Sequence, residues 1–128
     1  MGRQEKILKT GQSQPNLGRA DFWKFCLRVA GRKRQVSSDP VGTISAYDID
    51  KLFVDQNYRC AVSGIAFDVP ALGTGRPGPF EPSLDRIIAG GRYEIGNVRL
   101  VCNIVNFAMN AWGVEALHKL VDEMSGRK

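Results

Sequence analysis

The stretch SLDRIIAGGRYEIGNVRLVCNIVN (residues 83–106) decides how the chain is read. Its first six residues read as a strand holding an apolar-flanked Asp-Arg, and Gly90-Gly91 lies in a long turn. VRLV then reads as a second strand, and CNIVNFAMNAW as a helix with Ile104, Val105, Ala108 and Met109 inward. In that layout Asp85 sits on the first strand, Asn97 at the end of the turn and Asn106 one turn into the helix. A hairpin packed on a helix can bring Asp85 and Asn106 to one side. Their oxygens would make a hard pocket of the kind Mg²⁺ or Mn²⁺ prefers. The residues equally allow Asp85 to pair with Arg86 or Arg99, with Asn97 and Asn106 capping turns.

Outward from this core the chain is 128 residues long, about one domain, with 43% hydrophobic and 24% charged residues. No apolar run approaches the length of a bilayer span, and residues 1–14 lack a signal-peptide core. Cys26, Cys60 and Cys102 do not have a disulfide framework's spacing, so reduced, buried thiols in a cytoplasmic protein are expected. The net charge of +5 is uneven. Residues 1–36 carry +7, residues 37–82 carry −3 and residues 83–128 carry +1. A basic first third fits a polyanion partner, nucleic acid first, or a solvated tail.

Residues 1–19 are polar and aperiodic, and read as a flexible basic arm. Asp21 is placed as the cap of a short helix with Phe22, Phe25, Cys26 and Val29 at helical spacing. GRKRQVSSDPVG (residues 31–42) reads as a basic loop, with Arg32, Lys33 and Arg34 available to a DNA backbone. Ser45 and Asp48 form a capping-box signature for a helix with Ile49, Leu52 and Phe53 on one face. YRCAVSGIAF (residues 58–67) reads as two short strands about Ser63-Gly64. The Pro- and Gly-rich run that follows is an irregular loop, and a last helix from Gly113 carries Leu117, Leu120, Val121 and Met124. The fold class expected is α+β: one domain over residues 20–128, with its hairpin-and-helix core at about 83–111.

Asp85-Arg86-Ile87, Gly90-Gly91, Asn97-Val98, Val101-Cys102 and Asn106 together resemble the ββα-metal core of HNH (His-Me finger) endonucleases, in particular the small phage-type members. The resemblance covers residues 58–110 well and the flanks loosely. It implies a divalent-metal-dependent endonuclease acting on double-stranded DNA in a bacterial or phage setting. Asp85 and Asn106 would be metal ligands for Mg²⁺ or Mn²⁺, and Asn97 would tie the loop between the strands. Arg86 stands where most members hold a histidine general base, although Asp-Arg variants occur among phage-type relatives. A guanidinium cannot take a proton from water. Many relatives also carry two Cys-x-x-Cys pairs around a zinc ion. Here they read Cys60-Ala-Val-Ser63 and Cys102-Asn-Ile-Val105, and two thiolates cannot close a tetrahedral site. No structural zinc is expected, and Val62, Ile65, Phe67, Val105 and Phe107 are expected to pack in its place.

Arg92 and Arg99 flank the core motif and could hold phosphates or lie on a solvated face. His118, the one histidine, is expected in a packing or surface role. Tyr93 is expected as a core plug rather than a phenol near the metal, and Trp23 and Trp112 as core. The other functional readings are a DNA-binding module that keeps the fold with a degenerate, inactive site, and an RNA- or protein-binding accessory domain.

Overall fold

The computed structural model describes residues 19–36, 44–71, 76–88 and 90–126. They form a single-domain α+β fold with the order α1 (Arg19–Val36), α2 (Ala46–Asp55), β1 (Pro82–Arg86), β2 (Val98–Cys102), α3 (Asn103–Met109) and α4 (Gly113–Ser125). No helix among the described residues is long and apolar enough to cross a membrane. The arm expected over residues 1–19 lies, apart from Arg19, outside the described residues.

The core is built where α1 meets α2. Phe22, Phe25, Cys26, Val29 and Ala30 line the buried face of α1, against Ile49 and Phe53 of α2. Phe53 is fully buried, with edge-on contacts to Phe22 (5.0 Å) and Phe67 (5.7 Å) and a stacked contact to Tyr58 (5.4 Å). Burial, aided by Asp50, pushes the Cys26 thiol up to about 12, so it packs as a neutral group. The α2 capping box is formed as the sequence predicts. Asp48 N–H donates to Ser45 Oγ at 3.1 Å, and Ser45 N–H to Asp48 Oδ2 at 3.0 Å.

After α2 the chain reverses through Asn57 and Tyr58, both with positive φ. Asn tolerates this conformation, whereas Tyr58 is held there by its neighbours. Its ring lies 5.1 Å from Phe22, and the Arg19 guanidinium sits 4.5 Å over it. The reversal carries residues 59–67 against β2. The two strands expected there reduce to one bridge, Arg59 with Ala66.

β1 and β2 pair antiparallel with Asp85 opposite Arg99 and Leu84 opposite Leu100. At the other edge of β2, Leu100 O accepts from Ala61 N–H at 2.9 Å, and a side chain supplies the remaining pairing. Gln56 Nε2 donates to Leu100 O at 2.9 Å, and Leu100 N–H donates to Gln56 Oε1 at 3.0 Å. One carboxamide thus reproduces the pairing a third strand would give to a fully buried residue. Glu81 does similar work before β1, accepting from Ala71 N–H (3.0 Å) and Gly78 N–H (2.8 Å). The same loop receives the first N–H groups of α3. Asn103 N–H donates to Glu81 O (3.0 Å) and Ile104 N–H to Pro79 O (2.9 Å). Helix α3 therefore starts without a side-chain cap.

Several expectations are corrected. α1 does not stop at Gly31 but continues to Val36, so Arg32, Lys33 and Arg34 lie on a helix rather than a loop. Lys and Arg are good helix formers, favoured near a helix C-terminus, and one glycine costs only about 1 kcal/mol. Their side chains, and residues 37–43 with Pro40 and Gly42, lie outside the described residues. Asp21 sits in the first turn of α1 instead of capping it. In α3 only Val105 and Met109 are buried, whereas Ile104, Phe107 and Ala108 face solvent. Ile65 is exposed as well, leaving Phe67 and Val105 buried and Val62 partly so. Trp112 is exposed, and α4 buries no residue completely, with Leu117 and Val114 half-buried.

Candidate active site

Strand β1 alternates Ser83 and Asp85 on one face, and the hairpin register sets Asp85 beside Arg99. Arg99 Nε donates to Asp85 Oδ2 at 2.9 Å, both side chains being largely shielded from water. Arg99 also approaches Met109 Sδ at 3.9 Å. Of the pairings the sequence allowed for Asp85, this is the cross-strand one. Asp85 Oδ1 receives no hydrogen bond from the described residues.

Asn106 comes to the same place from α3. Its Nδ2 donates to Ser83 Oγ at 3.0 Å, which fixes the carboxamide plane and leaves its Oδ1 without a donor among the described residues. Ser83 was missed in the sequence reading. Its signal is the two-residue spacing to Asp85, which puts both on one face of a strand.

The loop between the strands is tied by Asn97. Its Oδ1 accepts from Ile88 N–H at 3.0 Å and its Nδ2 donates to Arg92 O at 2.9 Å, while its backbone carbonyl accepts from Ile87 N–H at 2.8 Å. Gly91 has to be glycine beside it. A Cβ there would stand 2.5 Å from Asn97 Nδ2 and 3.1 Å from Ile88 O. The loop in turn holds Arg86. Arg86 Nη1 donates to Gly91 O at 2.9 Å, and the guanidinium carbon lies 4.8 Å over the Tyr93 ring. Tyr93 packs half-buried against the core and serves as the platform for Arg86. Among the described contacts of Arg86 there is no carboxylate.

Asp85, Arg86, Tyr93, Arg99, Asn106 and Phe107 line one cleft of about 550 Å³, to which the α3–α4 turn also contributes. Successive residues of a strand face opposite ways, but β1 ends at Arg86, and both Asp85 and Arg86 reach the cleft. Asn97 supports the loop and does not line the cleft. Arg92 is exposed on that loop, and His118 is exposed on α4 outside the cleft. No cluster of three or more His, Cys, Asp or Glu side chains that could hold a metal occurs among the described residues. The donor set suited to a hard cation is the pair of unbonded oxygens, Asp85 Oδ1 and Asn106 Oδ1, with water or phosphate to complete it.

Behind the sheet, Cys60 Sγ accepts from Cys102 N–H at 3.3 Å and Ser63 N–H at 3.4 Å. Burial raises the Cys60 pKa, but the bonds from Ser63, Cys102 and Val62 outweigh it and hold the thiol below its ordinary value. Burial, with Cys60 alongside, lifts Cys102 to about 11. All three cysteines are free and buried.

Comparison of the chain with protein families, with curated proteins and with solved structures finds no match in any of the three.

Proposed function

We propose that the cleft is the active site of a divalent-metal-dependent DNA endonuclease, and that β1, the tied loop, β2 and α3 act as an HNH-like ββα-metal finger. The observation that carries this reading is the convergence on one cleft of Asp85 and Arg86 from the end of β1 and Asn106 from α3. Asp85 and Asn106 would hold Mg²⁺ or Mn²⁺ through their unbonded oxygens. Bound there, such a cation supplies positive charge against the phosphate and the leaving 3′-oxygen.

The chain's own residues do the rest. Arg86 is permanently charged and its donors match phosphate oxygens, so it clamps the scissile group as negative charge builds. Its aim is set before substrate arrives, by the Gly91 carbonyl and the Tyr93 ring, and Asn97 keeps that loop in place. Such preorganisation is what makes a donor effective in a transition state. Arg99 steadies Asp85 through one oxygen and leaves the other to the cleft. No histidine lines the cleft, so the attacking water would lose its proton to a substrate phosphate oxygen, to hydroxide or to another side chain such as Tyr93 or His118.

The second reading, a DNA-binding module with an inactive site, is favoured by the Arg99–Asp85 ion pair, which competes for the carboxylate. Plasmid nicking separates the two. With Mg²⁺ or Mn²⁺ the protein should nick supercoiled DNA, and Asp85→Ala and Asn106→Ala should each abolish nicking while keeping a cooperative melt. A variant that cuts at the wild-type rate contradicts the ligand assignment.

A further inference from the structure

Phe107 follows Asn106 directly and lines the same cleft, yet its side chain is 83% exposed. A phenyl ring so exposed contributes little to the core, and the cleft it lines is also lined by Arg86 and Arg99. Cations that hold a sugar-phosphate backbone beside an aromatic face make the arrangement that grips nucleic-acid strands, since every base has a face on which to stack. In an intact duplex those faces are covered by neighbouring base pairs, and only edges are offered in the grooves. A ring face in the cleft is therefore matched to a strand whose base has left the stack.

We propose that Phe107 is a substrate-positioning residue that stacks on an unpaired base next to the phosphate held in the cleft, which makes the substrate a single-stranded or locally opened segment of DNA. This rests on the nuclease reading for the position of the phosphate. Stacking itself needs neither metal nor catalysis. Asn106 and Phe107 are adjacent on α3, so the base contact and the proposed ligand are fixed to one rigid element.

The test is binding in EDTA, which stands apart from cleavage. Anisotropy of a fluorescently labelled single-stranded oligonucleotide and of its blunt duplex would be followed for the wild type, Phe107→Ala, Phe107→Leu and Phe107→Tyr. Removing one stacking contact is expected to weaken single-strand binding by about tenfold or more. Phe107→Ala and Phe107→Leu should show that loss, Phe107→Tyr should bind as the wild type does, and duplex binding should change less than twofold. Unchanged melting temperatures would show that all four proteins are folded, as the exposure of the ring predicts. Equal losses on both DNAs, full activity of the leucine variant in binding, or no loss in the alanine variant would each overturn the proposal. If stacking is found in a protein that never cuts, the nuclease reading fails and the assignment of Phe107 stands.

Discussion

On the proposed nuclease reading, Arg86 carries the most weight of any single side chain. Its two visible restraints, the Gly91 carbonyl and the Tyr93 ring, hold a cation at the cleft without spending it on a carboxylate. A donor aimed in this way at developing phosphate charge is worth about 10²–10³ in rate. Arg86→Ala should therefore lose about that factor in nicking rate, and Arg86→Lys should recover only part of it, because a point charge does not make the forked contact. Equal rates for lysine and arginine would reduce the role to simple attraction. The Asp85-Arg86 pair was legible in the sequence because it is flanked by apolar residues and followed by a glycine turn. The partner of Asp85 was not. Choosing Arg99 over Arg86 requires the hairpin register, and an eleven-residue connection does not fix register by its length.

Among the elements, β2 shows most clearly what sequence patterns conceal. The hairpin and α3 were legible from short apolar-containing runs, glycine punctuation and helical spacing. The third edge contact was not, because Gln56 lies 44 residues from Leu100 and a glutamine after a helix carries no signal for strand pairing. Its removal strands a buried N–H and weakens the bonding of a buried carbonyl. Gln56→Ala should lower unfolding stability by about 1–3 kcal/mol, read as a shift in urea midpoint at constant m-value. Gln56→Glu should be worse, since a carboxylate oxygen would face Leu100 O. A midpoint within experimental scatter of wild type would show that residues 59–61 satisfy β2 alone. Helix α1 teaches the opposite lesson. Gly31 followed by three cations looked like a break, yet nothing in that run forbids a helix, and the cations suit its C-terminal end. The faces of α3 were misassigned because a short amphipathic helix at the rim of a cleft buries only a narrow stripe, here Val105 and Met109.

For the molecule as a whole, an aromatic core between α1 and α2 supports a small hairpin, and the hairpin and α3 present one polar cleft. The charge of +5 is concentrated in residues 1–36, which carry +7, and the proposed nucleic-acid partner rests on this basic first third together with the arginines of the cleft. If this assembly is a working hydrolytic scaffold that lacks only a positioned base, supplying one should change its pH dependence in a defined direction. The measurement is the initial rate of supercoiled-plasmid nicking against pH, with Mg²⁺ and with Mn²⁺, for the wild type and Arg86→His. The wild type should be slow and should accelerate toward alkaline pH. The histidine variant should be active and should rise through the imidazole pKa near 6.5, since only the neutral ring can accept the proton. If both proteins bind DNA and neither nicks it with either cation at any pH, the cleft is not a nuclease active site.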